Sequence, residues 1–199
     1  GMEISSSALT GALRVGVQVI VGRKRPVLEI YQQLHNDFDP PFEIDQKDSA
    51  GKTVRVDKHR FQNIFIDLTL INIGGERAEN VTFEVSGSFR REEPRHKLPE
   101  LFDANIGQIA PGQTLYLMLI EEHDLKIYAP EKPGDTTVFK PVGMKTDTLQ
   151  ITLHYDGPDT LLNRTLRWPR RWRGLKQYST AFTFNHAIFI GDLPPPKYM

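Results

Sequence analysis

The strongest constraint on this chain is the placement of apolar residues at every second position. Ile64, Ile66, Leu68 and Leu70 alternate with Phe65, Asp67, Thr69 and Ile71. Val81, Phe83 and Val85 alternate with Thr82 and Glu84, and Leu149, Ile151, Leu153 and Tyr155 with Gln150, Thr152 and His154. A period of two sends successive side chains to opposite faces of a strand, whereas a helix needs returns near 3.6 residues. Many of these positions are β-branched, which stiffens the side chain and favours the extended backbone.

The same pattern recurs along the chain. Leu13, Val15, Val17, Val19 and Val21 predict a first strand and Val27–Gln33 a second, so the N-terminal strands fall within 13–34. Leu115, Leu117 and Leu119 predict another. Leu161–Trp168 and Tyr178–Phe184 read as a closing hairpin over 160–184. Turn residues separate these runs: Asn72–Glu76 with its two glycines, Pro111-Gly112, and Asp156-Gly157-Pro158.

The remaining segments read as connections. Residues 36–58 are polar and punctuated by Pro and Gly, which predicts a long loop with one short strand at Thr53–Val56. Arg90–Leu101 predicts loop or a single helical turn, Glu121–Tyr128 a short helix, and Ala129–Lys145 a Pro/Gly-rich connection. Eight or nine short strands without sustained helical periodicity predict an all-β chain, an antiparallel β-sandwich with long loops. An open barrel is the alternative. The 199 residues suit one large domain of this kind.

Cysteine is absent, which removes disulfides, thiolate metal sites and thiol catalysis. No apolar run approaches the roughly 20 residues that span a bilayer as a helix. Gly1 ahead of Met2 reads as a tag-cleavage scar. With Met2 as the native start, no export signal is expected and the location would be cytoplasmic.

Formal charge is zero, but it is unevenly spread. From Thr160 onward the chain holds seven of its 25 basic residues and, of its 25 acidic ones, only Asp192. Arg164, Arg167, Arg170, Arg171, Arg173 and Lys176 are interleaved there with Trp168, Trp172 and Tyr178. Arginine forks beside aromatic faces suit an anion or polyanion. Arg164, Arg167, Trp168, Arg170, Arg171, Trp172 and Arg173 are therefore the candidate ligand-binding residues. The plainer alternative is that these arginines pair with acidic loops of the same domain and the tryptophans cap the core.

Other clusters point less firmly to chemistry. Asp37, Asp39, Glu43 and Asp45 are oxygen donors of the calcium-binding type, but they lack the glycine turn of an EF-hand loop. Glu121, Glu122, His123 and Asp124 could serve acid–base chemistry only if they converged, and neighbouring residues point apart. Acidic residues opening a helix explain them more simply. The six histidines show no metal-ligand spacing. No nucleophile elbow, phosphate-cradling loop or dinucleotide fingerprint is present. No catalytic residue, metal or cofactor is expected.

The run Leu68-Thr69-Leu70-Ile71-Asn72-Ile73-Gly74-Gly75-Glu76-Arg77-Ala78-Glu79-Asn80-Val81-Thr82-Phe83 resembles the strand–turn–strand of bacterial immunoglobulin-like domains of the CARDB type. Ile109-Ala110-Pro111-Gly112-Gln113-Thr114 resembles that family's Pro-Gly turn, and Leu149–Asp156 its late strand. The resemblance covers 61–156. It implies an immunoglobulin-like sandwich used as a spacer, adhesive or assembly module, without an active site. The strands within 13–34 and the basic segment 160–184 are additions to that pattern.

The function expected is a non-enzymatic protein-interaction or structural module. Its partner would be another protein or a second copy, with nucleic acid disfavoured. The alternative is an anion- or polyanion-binding module using 164–176. The third is a hydrolase-like enzyme whose histidines and carboxylates converge only in the fold.

Overall fold

The computed structural model describes residues 25–92, 97–131, 133–134, 139–186 and 191–198. The expected strand Leu13–Val21 lies outside them. The chain is all-β, with twelve strands among the described residues. They are β1 (Leu28–Phe38), β2 (Phe42–Lys47), β3 (Thr53–His59), β4 (Gln62–Asn72), β5 (Ala78–Ser86) and β6 (Ile106–Ile109). Then come β7 (Thr114–Glu121), β8 (Lys126–Pro130), β9 (Phe139–Met144), β10 (Gln150–Asp156), β11 (Tyr178–Thr183) and β12 (Lys197–Tyr198). The helices are α1 (Glu122–Leu125) and α2 (Leu161–Arg171), with a 3-10 turn at Glu100–Asp103.

The strands form two four-stranded sheets, β12-β1-β4-β7 and β11-β10-β5-β6, and two hairpins, β2-β3 and β8-β9. The β11-β10-β5-β6 sheet is antiparallel throughout, and β12 joins β1 in parallel. This arrangement is compatible with an immunoglobulin-like sandwich.

The described residues group into two compact units. The first draws on 25–32, Leu68–Met118 and Asp147–Phe184. Its alternation is read out directly as burial. Ile151 and Leu153 of β10 have no solvent exposure, and Ile151 pairs across to Val85 and Phe182. Directly opposed residues share a face, so each apolar row lines one side of the sheet. Leu28, Leu68, Leu70, Val81, Ile109 and Met118 complete a dry core.

One buried side chain explains the Asn72–Gly74 turn. Asn72 Oδ1 accepts from the backbone N–H of Val27 at 3.3 Å and of Gly74 at 3.0 Å. Its Nδ2 donates to the carbonyls of Glu76 at 2.8 Å and Ile109 at 3.0 Å. A buried amide so placed leaves no polar atom unsatisfied, and it ties the segments at Val27 and Ile109 to one turn. Gly74 is required for space, because a Cβ there would overlap the backbone of Arg25 and Val27.

The second unit draws on Gln33–Asp67, Leu119–Thr146 and Asn185 onward. Here the structure corrects the expected loop over 36–58. β2 and β3 pair antiparallel, from Phe42 opposite His59 to Lys47 opposite Thr53. Asp48 builds the turn by accepting from the N–H groups of Ala50 and Lys52, each at 2.9 Å, with Gly51 at φ 79°. The polar composition that suggested a loop belongs to strands exposed on both faces. The expected Pro/Gly connection over Ala129–Lys145 likewise contains β9, paired with β8. The helix expected over Glu121–Tyr128 is a single turn, α1, opened by a capping box between Glu121 and Asp124 and followed directly by β8.

Candidate functional site

The basic segment differs most from expectation. The closing hairpin expected over 160–184 is not formed: Leu161–Arg171 is helix α2, and only β11 is strand. Thr160 caps the helix, its Oγ1 accepting from the Asn163 N–H at 3.2 Å. Pro169 lies in the last turn, where it lacks the N–H that would bond back to Thr165. Arg170 and Arg171 close the helix at the end where positive charge is favoured.

The inward face of α2 is polar. Asn163 and Arg167, one turn apart, are its buried residues. Asn163 Nδ2 donates to the Pro158 carbonyl at 2.9 Å, and its Oδ1 accepts from Gln177 Nε2 at 3.1 Å. Gln177 Oε1 accepts from the Gly157 N–H at 3.2 Å, and Asp156 Oδ1 accepts from the Gln177 N–H at 2.9 Å. The Arg167 side chain is 3 % exposed and reaches Asp159 Oδ1 at 3.1 Å, the Pro158 carbonyl at 3.2 Å and the Asn163 carbonyl at 3.2 Å. Its charge also lies 3.9 Å from Asp156. A buried cation must be paired and hydrogen-bonded, and this one is.

The candidate residues therefore divide. Arg167 belongs to this internal network and is withdrawn from solvent. Arg164 forms a fork with Asp159, at 2.9 and 2.6 Å. That bond, with the charges of Arg164, Arg167 and Arg171, holds the Asp159 carboxyl down at about 2. Lys176 Nζ donates to the Asn80 carbonyl and, at 2.9 Å, to Thr82 Oγ1 of β5; burial lowers its pKa. Asn80 takes a left-handed backbone, φ 53°, which asparagine tolerates. Arg170 uses Nε on the Lys176 carbonyl at 3.0 Å, and Arg171 and Arg173 stand exposed. Trp168 and Trp172 are brought together, with ring centroids 6.0 Å apart.

The idea that the tryptophans cap the core is overturned. Trp168 is 66 % and Trp172 85 % exposed. Leu161, 83 % exposed, Leu162 and Leu166 are exposed on the same helix, and Leu175 is exposed in the segment that follows it. The helix is thus amphipathic in the inverse sense, polar toward the domain and apolar toward solvent. Sequence reading overlooked the four leucines and the network of Asp156, Asp159, Asn163 and Gln177. One signal was available: Thr160 as a helix cap ahead of Leu161, Leu162 and Leu166 at helical spacing.

The other clusters stay dispersed. Asp37 lies on β1, Asp39 accepts from Asn63 Nδ2 at 2.7 Å, and Glu43 faces Lys58 at 3.7 Å across the hairpin, beside Asp45 on the same strand. Among the described residues no group of three or more His, Asp or Glu could hold a metal ion. His35 meets Asp67 at 2.8 Å and stacks on Phe65, and His154 meets Glu84 at 3.0 Å. His96 lies outside the described residues. In the second unit an open cleft of about 350 Å³ is lined by Asn63, Phe65, Leu119, Glu121, Glu122 and His123. Its charges are occupied locally: Glu122 pairs with Lys126, and His123 Nδ1 lies 2.9 Å from the Tyr128 hydroxyl.

Residues 52–189 match a family model described as Domain of unknown function (DUF8453). The chain belongs to this family. No curated protein and no solved structure matches the chain. The DUF8453 match runs from β3 through β11, so α2 and its polar anchor lie inside the family's domain.

Proposed function

We propose that this DUF8453 domain is a non-enzymatic binding module whose contact surface is the outward face of α2. The observation that carries the reading is the exposure of Trp168, Trp172 and Leu161 on one helix whose other face is held by hydrogen bonds. Single exposed apolar residues are ordinary, but a contiguous group of this size on one element marks an interaction site. Burying it would contribute roughly 25 cal/mol per Å² of apolar surface. Tryptophan and arginine are also the residue types that dominate contact energies.

The immunoglobulin-like reading of 61–156 agrees with this role. It is supported by the Asn72 turn and by the antiparallel pairing of β5, β6 and β10. The anion-binding reading narrows to Arg170, Arg171 and Arg173, because Arg164 and Arg167 already have carboxylate partners.

The test is site-specific photocrosslinking in the source cells. A photoreactive side chain at position 172 is expected to give a defined adduct, whether with protein, lipid or a second copy. The same group at Gly107, exposed on β6, is expected to give none. Equal labelling at both positions, or no adduct at 172, overturns the reading.

A further inference from the structure

We infer that the occupant of the α2 face is an anionic phospholipid surface, into whose interfacial layer the helix lays its leucines and tryptophans. This rests on the reading of that face as the contact surface. It goes further by naming the chemistry of the partner.

The arrangement of side chains carries the argument. At 3.6 residues per turn, Leu161, Trp168 and Trp172 fall on one line of the helix, with Leu162 and Leu166 beside it. All five are exposed, and the buried Asn163 and Arg167 lie opposite the Leu161–Trp168–Trp172 line. The apolar arc is broad. A helix that docks in a protein groove shows a narrower row of anchors at i, i+4 and i+7. A broad apolar arc with Trp and Leu, on a helix rich in Arg, is the pattern of a helix lying in the plane of a bilayer interface.

Charge supports the same occupant. Arg170, Arg171 and Arg173 bracket Trp172, and no carboxylate occurs in sequence between Thr160 and Gly191. Asp159, whose side chain is half-exposed just before the helix, is paired with both Arg164 and Arg167. The outward surface therefore presents cations and apolar groups together. In a bilayer the indole rings settle at headgroup depth, and the arginine stems run along the apolar surface while their guanidinium groups reach the phosphates. A nucleic acid would satisfy the arginines and stack on the tryptophans, but it offers nothing to four leucines. The polar inner face matters as well. Because Asn163, Arg167 and Gln177 hold the helix in place, its leucines and tryptophans can leave water without detaching it.

The chain has two tryptophans, Trp168 in α2 and Trp172 at its cap, so fluorescence excited selectively at tryptophan reports on this helix alone. The experiment titrates the full chain with vesicles of phosphatidylcholine, and of phosphatidylcholine mixed with phosphatidylglycerol. The expected result is a blue shift of emission with the mixed vesicles that weakens with salt, and little shift with the neutral ones. Leu161→Ser/Leu162→Ser keeps both reporters and is expected to weaken binding about tenfold. Arg171→Ser and Arg173→Ser are each expected to weaken it about fivefold. None of these side chains enters the buried network, so thermal unfolding should match that of the unsubstituted chain. If a variant melts early, quenching of the intact protein by brominated phosphatidylglycerol replaces it as the measure of insertion.

Absence of a shift or of such quenching with mixed vesicles overturns the inference. A shift that grows with protein concentration alone overturns it in favour of a second copy. An equal response to a single-stranded oligonucleotide overturns it in favour of a polyanion. In each of these cases a crosslinked adduct at position 172 would still uphold the binding-module reading. Loss of that adduct would remove both.

Discussion

β10 and β3 are both seven-residue strands with alternating apolar side chains, yet they meet opposite fates. Ile151, Leu153 and Tyr155 of β10 are buried, whereas Val54 and Val56 of β3 are exposed. The difference lies in their neighbours. Among the described residues, β10 is paired on both edges, by β5 and β11, and β3 on one, by β2. Alternation specifies the extended backbone, but burial requires other segments to cover a face. The stability of the first unit therefore rests on long-range packing, and that of the β2-β3 hairpin on local pairing.

The largest effect is expected at Leu153. Leu153→Ala removes a fully buried side chain from β10 and is expected to cost about 3–4 kcal/mol, read by denaturant unfolding. A cost below about 1 kcal/mol would show that β10 is not anchored as described. Next comes Arg167→Ala. It leaves Asp156 buried without its cation and is expected to cost about 3 kcal/mol, with loss of α2 ellipticity. A neutral result would mean that the polar inner face does not hold the helix.

A smaller effect is expected in acid. Arg164, first through its hydrogen bond and then through charge, lowers the Asp159 carboxyl from 3.8 to about 2. A depressed carboxyl contributes stability that is complete above its unfolded value and is lost as pH falls through the folded one. Loosening of α2 is therefore expected between about pH 4 and pH 2. Asp159→Asn should remove that step from the helical signal; a step that persists unchanged would assign it to another group. The smallest effect is expected in the hairpin. Val54→Ala removes a side chain that is 70 % exposed and should change stability by no more than about 0.5 kcal/mol. A cost approaching that of Leu153→Ala would erase the contrast between the strands.

The strands were legible wherever both alternation and burial were strong. β4, β5, β7, β10 and β11 stand where the apolar residues place them. The turn at Asn72–Gly74 was legible too, although the reason for its asparagine is the Ile109 carbonyl, 37 residues away. β2 was hidden because Glu43, Asp45 and Gln46 read as loop when no core face is needed. α2 was hidden because Leu161–Trp168 read as one strand of a hairpin, and because its leucines do not mark the buried side.

Local sequence was enough to decide that this chain is all-β, where its main turns fall, and that an acid-free, arginine- and tryptophan-rich tract follows Thr160. The direction in which that tract faces was decided by the tertiary structure. Burial chooses the face whose polar groups can all be paired. Asp156, Pro158 and Asp159 at the end of β10 supply partners to Asn163 and Arg167, and Gln177 reaches Asn163 only once β10 and β11 lie side by side. With that face taken, the leucines and tryptophans are left to solvent.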